Sequence, residues 1–399
     1  MERNLQICYH KDMRIAFVTD AYVPVPTGVA VSVETLRRSL EKLGHIVYVF
    51  APRYSDWKDQ DPYVARVPGF FGRRRFHPII WPRGSINPKS IAKLKLDIVH
   101  SHFFFDYFKL APEIARIARV PHLTTLYRAF PEVARQKKSF LRSRDSNVSK
   151  AIKKTRKYLG ECDHIIALSR ASKSYFSELS IATPISVLPI GLFPKDFISL
   201  PPEAIRERFD IPADRKIILF VGRMEEENNI LFLFKAFRRV WKAVDDVHLL
   251  IVGGGTQLKR YRTIAHTQPF GKFVSFTGFL PKALVNKIYG AVDLYVNPST
   301  IDPQPLGIIE AQVSGTPAVT VKGLGGQDFI ENHSNGLVSE FQIEDFSDKI
   351  IELLRKDNVR LEFSLRARAA ARQFRALQKA HELITIYDES KVNYKNKFK

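Results

Sequence analysis

The sequence predicts an α/β fold of two doubly wound, parallel-sheet domains in tandem, facing each other across a cleft. Three observations predict it. Apolar runs of strand length alternate with segments of helical period. The alternation stops at a Pro-rich stretch over residues 189–202 and begins again at Lys216. The 399 residues also exceed what one core of ordinary size organises. The boundary falls near Lys195, giving a first domain over 13–195, a second over 196–373 and a closing basic helix or tail over 374–399.

Each element has its own signal. MRIAFVTD, from Met13 to Asp20, reads as a buried first strand, and a loop with Pro24, Pro26 and Gly28 follows. From Val29 the positions of Val33, Leu36, Leu40 and Leu43 repeat at helical spacing, with Gly44 as the stop. Residues 45–51 form the next strand. Strand, loop, helix and strand in this order make a nucleotide-binding type of unit, in which Gly28 either lets the backbone approach a ligand or serves the turn alone. Further strands are expected at 96–100, 121–126, 163–168 and 185–188. The second domain repeats the pattern at 216–223, 247–252, 273–276, 293–297 and 318–321.

Composition is ordinary for a soluble or peripheral globular chain, with 45% hydrophobic and 26% charged residues. Two cysteines, Cys8 and Cys162, make no disulfide framework and have no metal-ligand spacing, which fits a reducing cytoplasmic compartment. The first dozen residues lack the apolar core of a signal peptide, and no apolar run reaches membrane-spanning length. The net charge of +21 is uneven: residues 1–195 hold 33 Lys and Arg against 16 Asp and Glu, the remainder 29 against 25. Between Arg135 and Lys157 lie ten basic residues and one acid, Asp145. That tract is a solvated face or a surface for anionic lipid headgroups, and Arg73, Arg74 and Arg75 beside Phe70, Phe71 and Phe76 add a second basic patch.

The densest chemistry lies in NPSTIDPQPLGIIEAQVSGTPAVTVKGLGG, residues 297–326. An apolar strand ends at Asn297, a Pro-rich loop follows, a short helix runs around Gly307 to Val313, and a strand leaves from Thr316. In parallel sheets ligands sit where loops leave the carboxyl ends of strands. The first N–H groups of the helix, around Leu306 and Gly307, suit a phosphate or sugar hydroxyls. Glu310, one turn in, could bond two adjacent sugar hydroxyls or merely complement the helix dipole.

This segment resembles the nucleotide-sugar site of glycosyltransferase family 4, retaining enzymes of the GT-B fold, within the group that includes diacylglycerol glucosyltransferases and mannosyltransferases. The family's paired acids, eight positions apart before Ala-x-x-x-Gly-x-Pro, are matched by Asp302 and by Glu310 in EAQVSGTP. The resemblance implies that Glu310 grips the nucleotide ribose and that Asp302 stands by the sugar as a catalytic residue. Gly222-Arg223 matches the family's Gly-Arg at a strand end, which implies that Arg223 reaches the diphosphate as a forked donor. Gly253, Gly254 and Gly255 correspond to the family's Gly-rich turn beside the nucleotide. In the first domain DIVHSH, from Asp97, and TTLYRAF, from Thr124, carry the likeness, and Tyr127 takes the place of a cleft histidine. A phenol can donate to a sugar hydroxyl but does not match imidazole as a proton acceptor near neutral pH.

Four positions depart from the family's pattern: Tyr127, Asn228 for a phosphate-reaching Lys, Asp302 for Glu, and Pro305 for a Gly whose N–H faces the donor. Lys322 or Lys259 could replace the missing cation. The resemblance therefore implies transfer of a hexose from a nucleoside diphosphate sugar to a membrane-lipid or glycan acceptor. It implies a cytoplasmic protein, peripheral at the inner face of the cell membrane, with no cofactor and no metal. His100 and His102 alternate onto one strand face, but no third ligand is evident. The competing reading is a glycosyltransferase-like chain without turnover that binds nucleotide sugars or serves a protein partner. Nucleic acid is not an expected partner, because no helix-turn-helix, zinc-finger or RNP signature accompanies the basic charge.

Overall fold

The structure is a computed structural model that describes residues 12–25, 27–54, 57–70, 79–80, 87–103, 109–127 and 146–397. Its strands β1 (Arg14–Thr19), β2 (Ile46–Pro52), β3 (Val64–Val67), β4 (Gly69–Phe70), β5 (Ile79–Ile80), β6 (Ile98–Phe103), β7 (His122–Leu126), β8 (His164–Ala167) and β9 (Ile185–Val187) come first in the chain. Seven of them form one sheet in the order β3-β2-β1-β6-β7-β8-β9, while β4 and β5 pair antiparallel with each other. The helices α1 (Gly28–Lys42), α2 (Pro88–Lys93), α3 (Leu110–Ala118), α4 (Ser146–Gly160) and α5 (Arg170–Ser177) lie between these strands in sequence.

The later strands are β10 (Lys216–Val221), β11 (Val247–Val252), β12 (Val274–Gly278), β13 (Leu294–Asn297), β14 (Ala318–Val321) and β15 (Gly336–Ser339). All their pairings are parallel, in the order β12-β11-β10-β13-β14-β15. Counted within this sheet, that is the 3-2-1-4-5-6 order of dinucleotide-binding domains. The order reverses between β10 and β13, so the topological switch point lies at their carboxyl ends. The helices here are α6 (Pro202–Phe209), α7 (Ile230–Ala243), α8 (Leu258–His266), α9 (Lys282–Ile288), α10 (Leu306–Ser314), α11 (Ile343–Arg355), α12 (Asp357–Ala370) and α13 (Ala376–Asn396).

Apolar burial covers both faces of the second sheet. Phe234, Phe237 and Val240 of α7 join Ile350, Leu353 and Leu354 of α11 in one cluster with Leu249, Ile251 and Val296. Ile308, Ile309 and Ala311 of α10 join Ile288, Tyr289 and Tyr295 in the other. Each large apolar side chain buried this way contributes about 1.5–3 kcal/mol. The chain separates into two compact units: described residues within 1–125, 161–165 and 380–399 form one, and those within 126–160 and 166–379 the other.

In the first unit α1 starts because the Thr27 side chain accepts from the Ala30 N–H. His100 on β6 is fully buried, and both ring nitrogens are engaged at 2.7 Å, Nδ1 with the Tyr387 hydroxyl of α13 and Nε2 with the Thr125 hydroxyl. His100 is thus part of the packing between β6 and the closing helix, and neither nitrogen is open to a metal. Lys397 adds an ion pair to Asp163 at 2.7 Å. Among the described residues no helix is long and apolar enough to cross a membrane.

Candidate active site

The second unit brings Arg223, Gly253, Gly254, Asp302, Leu306, Gly307 and Glu310 to the loops that leave β10, β11 and β13. The turns after β10 and β11 lock together. The Gly222 N–H donates to Val252 O (3.0 Å), the Met224 N–H to Gly254 O (2.9 Å), and the Gly253 N–H to Gly278 O (3.0 Å). Gly253 has φ +132, and a Cβ there would stand 2.0 Å from the Gly222 carbonyl oxygen, so only glycine fits. Gly254 lies flat against the half-exposed Phe279 ring, 2.5 Å from where its Cβ would be.

Arg223 leaves this turn about one third exposed and donates Nη2 to Glu227 Oε1 at 2.7 Å. The neighbouring acids have other partners: Glu225 accepts from the Thr256 N–H and hydroxyl, and Glu226 faces Arg260 at 3.6 Å. Asn228 donates Nδ2 to the Arg223 carbonyl at 2.6 Å, so its amide braces the turn. Asn229, left-handed at φ 54, donates to Pro298 O at 2.9 Å and ties the β10 exit to the β13 exit. Of the two lysines named as replacements for the missing cation, Lys322 pairs with Glu340 and Lys259 is exposed on α8.

The loop after β13 is held on several sides. Gln304, 4% exposed, clasps Ile190 through both ends of its amide, at 2.8 Å from the Ile190 N–H and 2.9 Å to its carbonyl. The Leu324 N–H donates to Thr300 O at 3.0 Å. Within this loop Asp302 Oδ1 accepts from the Gln304 N–H at 3.1 Å. Burial pushes the Asp302 carboxyl up to about 6, against the pull of that N–H and of the Arg223 charge.

Helix α10 begins after Pro305, whose carbonyl accepts from the Ile308 N–H at 3.0 Å. The Leu306 and Gly307 N–H groups, first in the helix, have no intrahelical acceptor and suit an anion or sugar oxygens. Gly307 is required sterically, because a Cβ there would stand 2.1 Å from the Tyr295 hydroxyl. The helix ends with Gly315 at φ 81, where the Gly315 N–H bonds Gln312 O and the Thr316 N–H bonds Ala311 O. Glu310, 4% exposed, lies on the second turn and pairs with Lys282, the first residue of α9.

The remaining expected residues sit elsewhere. Gly28 is the first residue of α1 in the other unit, and Tyr127 follows β7, partly buried. Between Arg135 and Lys157 the structure describes the part in α4, where Lys153, Lys154, Arg156 and Lys157 are exposed opposite buried Tyr158 and Leu159. Residues 135–145 and the patch at Arg73, Arg74 and Arg75 lie outside the described residues. Among the described residues no group of three or more His, Cys, Asp or Glu is placed to hold a metal ion. Lys282 and Gln304 escaped sequence reasoning, since neither stands in a motif and both act across the fold.

Comparison with known proteins agrees with the fold. Residues 202–373 match the family described as glycosyl transferases group 1, and residues 26–194 match glycosyltransferase family 4. The α-monoglucosyldiacylglycerol synthase of Streptococcus pneumoniae is 30% identical over 77% of this chain and 70% of its own. The synthase of the same name from Acholeplasma laidlawii is 27% identical over 82% of this chain and 84% of its own. Among solved structures, sucrose-phosphate synthase of Thermosynechococcus elongatus superposes with TM-score 0.75 at 20% identity, covering 94% of this chain and 98% of that one. Anabaena HepE, solved in complex with UDP, gives 0.73 at 16%, covering 94% and 100%. With two parallel α/β sheets and relatives of this kind, the chain belongs to glycosyltransferase family 4 and is a glycosyltransferase of the GT-B fold.

Proposed function

We propose that the chain is a retaining hexosyltransferase that uses a nucleoside diphosphate sugar and delivers the sugar to a membrane lipid or a glycan. The observation that carries this reading is the convergence of Arg223, Asp302, Glu310 and the α10 N-terminus where the second sheet reverses its strand order. In this reading residues 196–373 hold the donor and residues 13–195, with Tyr127, the acceptor side, while Gly28 is a further residue for the nucleotide. Glu310 accepts from the ribose hydroxyls. Arg223 and the Leu306 and Gly307 N–H groups take the charge of the leaving diphosphate, so no metal or cofactor is needed. Asp302, when ionised, accepts from sugar hydroxyls. The departing diphosphate itself helps to deprotonate the acceptor hydroxyl in a front-side displacement, which is why Tyr127 can stand where relatives have an imidazole.

The relatives named for diacylglycerol glycosylation favour a lipid acceptor. The exposed basic face of α4 would hold the protein, from the cytoplasmic side, on an anionic membrane, each Lys or Arg contributing about 1 kcal/mol. Calorimetric titration with UDP and GDP tests the donor half. Glu310→Ala and Arg223→Ala should each weaken binding of the better ligand at least tenfold, about 1.4 kcal/mol, and binding should resist a metal chelator. Unchanged affinity in both variants would remove the assignment.

A further inference from the structure

Glu310 raises a question of charge, because its side chain is only 5% exposed. Three groups face it. The ammonium of Lys282 comes from the first turn of α9, the Tyr289 hydroxyl from the turn after α9, and the Tyr295 hydroxyl from β13. Burial, and then the Glu310 charge, push both tyrosines above their ordinary range, so both stay neutral. A carboxylate buried without a cation takes up a proton instead. Here Lys282 supplies the cation, with its amine 5.6 Å from the centre of the Phe197 ring and its backbone fixed directly after Pro281.

The protonation state decides what Glu310 can recognise. An ionised carboxylate only accepts, on two oxygens with about four lone-pair sites, so with Lys282 on Oε1 it still has room for two hydroxyl donors. A protonated acid donates as well and no longer matches a pair of donors. We propose that Lys282 is a positioning residue for nucleotide binding: its ammonium pairs with the buried Glu310 carboxylate and orients it for the two hydroxyls of a ribose. The inference rests on the reading of Glu310 as the ribose-binding acid.

The test is calorimetric titration of UDP and GDP into the wild type, Lys282→Met and Lys282→Arg between pH 6 and 8.5, in two buffers of different ionisation enthalpy. The wild-type profile carries the titrations of the nucleotide's terminal phosphate and of Asp302, and serves as the reference. Lys282→Met should bind at least tenfold more weakly at pH 6.5, recover as pH rises, and release a proton on binding, while Lys282→Arg should stay within about threefold of the wild type. Lys282→Met with wild-type affinity and the wild-type pH profile overturns the inference. A urea double-mutant cycle of Lys282→Met with Glu310→Gln is independent of ligand. If even the wild type binds neither nucleotide, the ribose reading fails. The cycle then decides Lys282: coupling between the two positions supports its counter-ion role, and additivity overturns it.

Discussion

Asn228→Lys adds a cation where the proposed reading puts the donor's phosphates, and its outcome can be worked from the contacts. The substitution removes one neutral hydrogen bond, Asn228 Nδ2 to the Arg223 carbonyl at 2.6 Å, which costs about 0.5–1.5 kcal/mol. It adds a charge-assisted contact to phosphate of about 1.5–3 kcal/mol. The lost bond falls on stability in the free and bound protein alike, so the phosphate contact sets the affinity: a gain of about 1.5–3 kcal/mol, roughly 10- to 150-fold. The turn should tolerate the change, since Asn229 keeps its hold on Pro298 and Met224 its bond to Gly254. The assay is calorimetric titration of UDP and GDP at 0.05 and 0.5 M salt, with transfer measured in parallel. The gain should shrink at high salt, and transfer should accelerate. Equal or weaker affinity at both salt concentrations, in a variant that still unfolds in one cooperative transition, would refute the placement of residue 228 beside the phosphates.

Acid should destabilise the protein through its buried histidines. Burial lowers His102 to about 3, His122 to about 4 and His100 well below its ordinary value. The unfolded chain therefore binds protons first, and stability present above pH 6.5 is lost as pH falls; at pH 5.5 the three cost about 1.4 kcal/mol each. Urea unfolding at pH 7.5 and 5.5 checks this, and equal stabilities would contradict it. Asp302 has the opposite sign: its folded value near 6 lies above the unfolded one, so its charge destabilises the empty protein above pH 6 and that penalty disappears as pH falls towards 4. Asp302→Asn should accordingly stabilise the protein more at pH 7.5 than at pH 5, while lowering transfer and erasing an acid limb near pH 6 in the wild-type rate profile. Replacing Lys153, Lys154 and Lys157 by Gln should release the protein from anionic vesicles, and wild-type binding should fall with salt. Co-sedimentation indifferent to both would leave α4 a solvated face.

The parts of the fold that the sequence disclosed are those with a local signal. The apolar run ending at Asn297 is β13, the helical stretch around Gly307 to Val313 is α10, and the strand from Thr316 contains β14. Strands β3 and β15 were not legible: each has four residues, and neither VARV nor GLVS makes an apolar run that stands out from a loop. The same division runs through the candidate site. Glu310 and Arg223 stand in motifs whose spacing is local, whereas Lys282 meets Glu310 across 28 residues and Gln304 meets Ile190 across 114. Glu225, Glu226 and Glu227 look alike as a run, yet one caps Thr256, one faces Arg260 and one holds Arg223. Only the tertiary register separates them.

The central claim, retaining transfer of a hexose from a nucleoside diphosphate sugar, is tested most directly by the anomeric configuration of the product. The wild type and Asn228→Lys would be incubated with a panel of nucleoside diphosphate α-hexoses and diacylglycerol in anionic vesicles, and the product's anomeric proton coupling read by NMR. An α-linked glycolipid, formed faster by Asn228→Lys, is the predicted result; a β-linked product, or nucleotide binding with no transfer or hydrolysis by either protein, would contradict it.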